Sequence, residues 1–390
     1  MRILYHHRIR SKDGQFVHLE EMIHALRGLG HEIEIVGPRH VEDERFGADA
    51  GVVASLKRWL PGAAYETLEL SYSVADYRRL AAAIRRFRPD VIYERYNLYF
   101  PSGLWARRRY GLPLLLEVNA PLFDERSRFG GIALPRLARW SERYAWREAD
   151  LVLPVTEVLA GRVMAAGVPR ERIRVIANGI NEEAFSGLPD RAAAKRRFGL
   201  ADRFVLGFVG FMRDWHGLDR VLRVMKDHPR GDLHALFVGD GPDRDRLERI
   251  AAELGLSSRL TITGVVDRDQ VPAAIAAFDV ALQPAVVEYA SPLKLFEYLY
   301  VGLPILAPDS PNIREVLSDG ENGLLFDPGD DASFRRALGR LLLDDDLRDR
   351  LAARGRETVR LRDLTWSGNA RRVTRLAEEL AGGRAQTCAV

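Results

Sequence analysis

The 390-residue chain exceeds what one hydrophobic core organises, and at roughly 150 residues per domain it divides into two. Its 47% hydrophobic and 29% charged residues exclude a disordered chain, and its single cysteine, Cys388, excludes a disulfide scaffold and points to a reducing, cytoplasmic setting. Net charge is only +3, but residues 1–178 carry 28 Lys+Arg against 22 Asp+Glu and the remainder 30 against 33, a split of +6 and −3.

The opening segment Met1–Arg8 turns charged after a few apolar residues, unlike a signal peptide, and no apolar run approaches the ~20 residues of a membrane-spanning helix. The expectation is a soluble protein, at most peripheral at the inner face of a membrane. Strand candidates follow at Ile3–Tyr5, Ile33–Val36, Val91–Tyr93, Leu114–Leu116, Leu151–Leu153 and Ile173–Ile176, with helices such as Phe16–Leu29 and Leu137–Glu148 between them. This half also holds basic clusters: Arg85, Arg86 and Arg88; Arg107, Arg108 and Arg109; and Arg126, Arg128, Arg136 and Arg139. Such runs ordinarily mark solvated faces; the alternative is an anionic membrane surface or an acidic acceptor.

The stretch Asn181–Asp202, with Gly187, Pro189 and Gly199 around a charged helix-like insert, reads as a linker. The strand pattern then restarts at Phe204–Val209, Leu236–Val238, Leu260–Ile262, Val280–Leu282, Ile305–Ala307 and Leu324–Phe326. Alternating β and α segments predict an α/β class of two Rossmann-like domains facing across a cleft, residues 1–184 and 185–365. Ligands of such sheets bind beyond the carboxyl ends of strands, which singles out the loops after Tyr5, Val209, Val238, Ile262 and Leu282.

The richest segment is Glu288–Leu299. Ser291 is a good N-cap and Pro292 suits the first helical position, so a helix starting there opens free N–H groups to an anion. Lys294 adds a full charge to the helix dipole, enough to recognise a diphosphate across Ser291, Pro292, Leu293 and Lys294. Glu297 shares the face of Lys294 and suits ribose hydroxyls. Taken alone, the segment reads equally as a capped helix carrying a surface Lys-Glu pair.

Glu297–Pro304, with Gly302 between, resembles the E-x4-G-x-P signature of retaining glycosyltransferases of family four, with the GT-B fold. The resemblance extends over nearly the whole chain: Phe208–Gly210 with Trp215–Gly217, Phe237–Pro242 as a GDGP turn, Ile262–Gly264, Gly14, Gly28–Ile33, Glu142–Asp150 and Asn178–Ile180. It implies transfer from a nucleoside-diphosphate sugar with retention, with no essential metal and no cofactor beyond the donor. It further implies an acceptor-side first domain, onto which 366–390 crosses back, and a donor-binding second one. Within these, Gly14 and Gly210 approach the diphosphate, Gly264 and Val265 hold the base, and Glu288, Tyr289 and Ala290 read the sugar. By family frequency the base is uracil, then guanine. The acceptor is a glycan, a lipid-linked sugar or a small molecule, and no nucleic acid is a partner.

Three departures stand out. Phe211 and His216 occupy positions where the family carries Arg and Lys, a loss that Arg213 or Lys294 is placed to offset. His216 equally suits a capping or packing role. Glu288 and Glu297 are separated by eight residues rather than seven, so either Glu288 reaches the sugar after a loop adjustment or Tyr289 takes its place. Asn119 stands where a histidine often sits and, being no base, positions hydroxyls; Glu117 nearby is a candidate base, though strand-end carboxylates are mostly structural, and His18 reads as packing or acceptor contact. Gly239–Arg244 lacks the third glycine of a dinucleotide fingerprint, no Walker A sequence occurs, and His6 and His7 have no partners at metal-ligand spacing. The rival classes are an epimerase or hydrolase of the same fold and a non-catalytic sugar-nucleotide-binding subunit.

Overall fold

The computed structural model describes residues 1–9, 14–38 and 60–387, so Cys388 lies outside the described residues. The chain separates into two compact units, Met1–Ala177 with Tyr289–Ser291 and Trp366–Val390, and Asn178–Glu288 with Pro292–Thr365.

In the first unit the order is β1 Arg2–His6, α1 Gly14–Gly28, β2 Glu32–Val36, α2 Gly62–Phe87, β3 Val91–Arg95 and α3 Ser102–Tyr110. Then come β4 Leu114–Val118, α4 Leu122–Phe129, α5 Pro135–Glu148, β5 Leu151–Pro154 and α6 Glu157–Ala165. The five strands form one parallel sheet, β2-β1-β3-β4-β5. Every residue of β3, β4 and β5 is buried, as a parallel sheet covered on both faces requires.

The sixth strand candidate, Ile173–Ile176, does not become a strand. Arg174 and Ile176 donate to the carbonyls of Val152 and Pro154, both at 3.0 Å, but Pro154 has no N–H to return to Arg174, and only Val152 and Ile173 pair as an isolated bridge.

The second unit runs α7 Arg191–Arg197, β6 Phe204–Val209, α8 Asp219–Asp227, β7 Leu233–Val238, α9 Arg244–Glu253, β8 Leu260–Ile262, α10 Val271–Ile275 and β9 Val280–Leu282. It continues with α11 Leu293–Val301, β10 Ile305–Pro308, α12 Pro311–Arg314, β11 Leu324–Phe326, α13 Asp331–Leu343 and α14 Asp345–Arg362. Its parallel sheet is ordered β11-β10-β9-β6-β7-β8, so the strand order reverses at β6, the position where such sheets open a ligand crevice. Its core joins Phe208, Phe237, Leu282 and Leu306 from the sheet to Phe334 and Leu351 from the helices.

The unit boundary falls after Ala177, not after residue 184, because Ile180 donates to the Leu364 carbonyl at 3.0 Å and pairs with Thr365. The stretch read as a linker is likewise part of the second unit: Asp190 caps α7 through Ala193 N–H at 2.7 Å, and Lys195 pairs with Asp279 at 2.6 Å.

The last helix, α15 Trp366–Thr387, belongs to the first unit. Asn369 donates to the Ala177 carbonyl at 2.7 Å, Thr374 meets His31 Nε2 at 2.7 Å, and Trp366 lies edge-on to His18 with ring centres 4.8 Å apart. Trp366 is buried, so Trp366→Ala leaves a cavity and lowers the first unit's stability by roughly 3–5 kcal/mol in urea melts; a loss under about 0.5 kcal/mol contradicts this packing.

Candidate functional site

The carboxyl ends of β6 and β7 are joined backbone to backbone. Gly210 donates to the Val238 carbonyl at 2.9 Å and Met212 to that of Asp240 at 2.8 Å. Gly239 has φ +129°, and a Cβ there would stand 2.3 Å from the Gly210 carbonyl oxygen, so neither the conformation nor the space admits a side chain. These glycines bring two loops together in front of the sheet, at its switch point.

Helix α11 is set against them by Tyr298, whose hydroxyl accepts from Val209 N–H at 3.0 Å. The helix begins one residue later than the sequence suggests: Pro292 is the N-cap and no side chain caps the helix, so Ser291 does not play the expected part. Pro292, itself without an N–H, accepts from Leu295 at 3.2 Å, and helix geometry leaves the N–H groups of Leu293 and Lys294 without intrahelical acceptors.

Into this mouth comes a half-buried Lys294, its Nζ 3.9 Å from the centre of the Phe208 ring and 3.2 Å from where a Gly210 Cβ would be. Burial lowers its pKa to about 7, against the opposing pull of Glu297 one turn on. His216 packs edge-on to the same Phe208, ring centres 5.2 Å apart, and its Nδ1 accepts from Arg213 N–H at 3.1 Å. Burial first, then Lys294 and Arg213, hold His216 down to about 3, so it is neutral at pH 7. The expected capping role of His216 is thus present, and its face towards Lys294 adds no charge. Arg213 is exposed, its guanidinium held between Phe211 and Trp215 at 5.0 and 4.8 Å.

Glu288 is exposed, whereas Tyr289 is buried: its carbonyl accepts from Thr156 Oγ1 at 3.0 Å, its ring lies 5.5 Å from the Arg162 guanidinium, and its hydroxyl bonds Glu125. Of the two alternatives for reading the sugar, Tyr289 is therefore engaged within the first unit, while Glu288 is exposed. Ala290 and Ser291 are half-buried beside it. Gly264, at φ +72°, bridges Gly239, and the next residue, Val265, is 58% exposed, an apolar surface at the sheet edge. The sequence reading missed Gln283, just beyond β9: it is buried, and among the described residues its Oε1 has no partner. Its position after a strand end was the available signal.

In the first unit Gly14 opens α1. Asn119 Nδ2 lies 3.5 Å from His18 Nδ1, and the Asn119 Oδ1 is buried without a partner among the described residues. Glu117 is not placed as a base: it is buried, bonded to Arg95 at 2.7 Å, Tyr93 at 2.6 Å and His18 at 3.0 Å, and its cationic neighbours outweigh burial to hold it at about 2. His6 is likewise buried, between Glu94 at 2.6 Å and Asp76 at 2.8 Å, where the two carboxylates overcome desolvation and raise it to about 9. Among the described residues no three His, Cys, Asp or Glu side chains cluster as metal ligands would.

The described family "Glycosyl transferases group 1" matches residues 190–358, and "Glycosyl transferase 4-like domain" matches 13–179. The alpha-D-kanosaminyltransferase of Streptomyces kanamyceticus is 27% identical over 63% of this chain, a match spanning 65% of that protein's length, a little under two thirds. The D-inositol 3-phosphate glycosyltransferase of Thermobispora bispora is 29% identical over 94% of this chain and 90% of its own. HepE of Anabaena, solved with UDP, superposes with a TM-score of 0.74 at 17% identity, covering 97% of this chain and all of that one, which shows the same fold. The chain belongs to the group 1 glycosyltransferases of GT-B fold.

Lys294 also gives a pH signature. Its folded pKa, about 7, lies below its ordinary value of 10.5, so between those limits the unfolded chain holds a proton that the folded chain does not. Stability of the second unit therefore rises with pH from 7 towards 10, and the rise disappears in Lys294→Met. Parallel denaturation midpoints for the two proteins across that range would contradict the assignment.

Proposed function

We propose that this chain transfers a sugar from a nucleoside-diphosphate sugar, UDP-linked first and GDP-linked next, to a hydroxyl acceptor with retention of configuration. The observation that carries the reading is the Lys294 amine resting on Phe208 at the uncapped mouth of α11, with Glu297 one turn on. A bound diphosphate would return the proton to Lys294 and meet the N–H groups of Leu293 and Lys294, with Arg213 adding a second cation that His216 does not supply. Charge leaving with the diphosphate is then stabilised by groups already in place, the role a metal ion has elsewhere, so the proposal needs no metal and no cofactor.

Glu297 accepts from the ribose hydroxyls, Gly264 and Val265 border the base, and Glu288 with the Ala290 backbone reads the sugar. In the first unit Gly14 opens α1, and Asn119 Oδ1, without a partner among the described residues, offers an acceptor for a hydroxyl. The relatives' names support transfer over the epimerase, hydrolase or non-catalytic alternatives; the acceptor is a small-molecule, lipid-linked or glycan hydroxyl, the first of which has a parallel in the D-inositol 3-phosphate named for one relative. A cytoplasmic setting remains part of the proposal.

Calorimetric titration with UDP and GDP tests it. One nucleotide binds; Glu297→Ala weakens it about tenfold, as loss of a hydrogen-bonding carboxylate does, and Lys294→Ala by tenfold or more, roughly, as loss of a charge-assisted contact does. Unchanged affinity in both variants, or no binding of either nucleotide, contradicts the reading.

A further inference from the structure

Most of the first unit's basic residues are already matched. Arg107 forms a two-pronged pair with Asp150 at 2.7 and 2.6 Å, Arg86 pairs with Glu34, Arg85 bonds Tyr110 at 3.0 Å, and Arg126 pairs with Glu69 at 3.0 Å. Helix α5 is different. Its inner face buries Ala138, Ser141, Glu142, Ala145 and Trp146, while Arg136, Arg139, Trp140 and Arg143 stand exposed together on the other; Arg147, next along, donates its Nε to the Ala166 carbonyl at 2.5 Å. These residues line one surface concavity with Tyr144 and Glu148.

Arg136 and Arg143 bond to none of the described residues, and Arg139 meets only the Phe123 ring, at 4.8 Å. Arg139, Arg143 and Arg147 follow at four-residue spacing, where like charges repel. The acid on this face, Glu148, is taken by Arg108 at 2.6 Å, whose guanidinium also lies 5.6 Å from Tyr144. At the centre Trp140, 53% exposed, stacks on Tyr144 with centres 5.2 Å apart and planes 16° from parallel.

The geometry points to a docking surface for an anionic lipid headgroup layer. Guanidinium groups pair with lipid phosphates through their planar forks, and an indole with a stacked phenol settles at the headgroup level, apolar body inward and polar edge to water. An acidic protein partner would use the arginines but gives no reason for a large exposed aromatic pair in their midst. The helix would thus lie along the surface without entering it, in keeping with the finding that no described helix is long and apolar enough to cross a membrane. This docking is independent of the transferase reading.

The test is flotation of the full chain with phosphatidylcholine vesicles, with and without phosphatidylglycerol, at low and high salt. The wild type floats with the anionic vesicles at low salt, not with the neutral ones, and salt releases it. Arg139→Glu/Arg143→Glu lowers partitioning by well over tenfold, each lost arginine alone accounting for roughly fivefold, and Trp140→Ala lowers it several-fold; both keep wild-type far-UV circular dichroism and nucleotide affinity. Equal retention by neutral and anionic vesicles, flotation of the variants like wild type, or capture by polyglutamate without vesicle binding each overturns the proposal.

Discussion

Gly239 lies so close to the chain leaving β6 that its absent side chain is the condition for the site: the space a Cβ would take is 2.3 Å from the Gly210 carbonyl. That contact fixes two strand-end loops as one backbone surface, and Tyr298, bonded to the end of β6, registers α11 against it. The placement of Lys294 follows, since its ammonium rests on Phe208 beside Gly210. A larger residue at position 239 would displace the loop that shapes the ammonium's surroundings.

The charges of the two units contrast in a way that separates structure from function. In the first unit the buried His6 is held between two carboxylates, and Glu117 by a cation, a phenol and a histidine. Satisfied networks of this kind stabilise the interior and have little to offer a ligand. Lys294 has a ring face, a helix mouth and only the pull of Glu297 one turn on, and burial outweighs that pull to hold its pKa down.

The sequence displayed the strands well because a parallel sheet covered on both faces leaves runs such as Leu114–Leu116 and Phe204–Val209 with no polar interruption. It mispredicted Ile173–Ile176, where the β-branched residues flank Arg174 and the neighbour's proline interrupts the ladder. Glycines of the GDGP turn were legible as a pattern; their cause, loop against loop, was not, because it depends on a contact between β6 and β7 ends. Ser291 looked like a cap from local chemistry, yet the helix starts after Pro292. The Phe208 platform under Lys294, the burial of Tyr289 and the unpaired Gln283 Oε1 arise from residues far apart in the chain, which no local spacing reveals.

A diphosphate at the mouth of α11 is the central expectation. A crystal structure of the full chain soaked with UDP decides it: phosphate oxygens within roughly 3 Å of Lys294 Nζ and of the Leu293 and Lys294 N–H groups are the predicted result. A well-ordered nucleotide elsewhere, with Lys294 still resting on Phe208 and no anion at the mouth of α11, would contradict it.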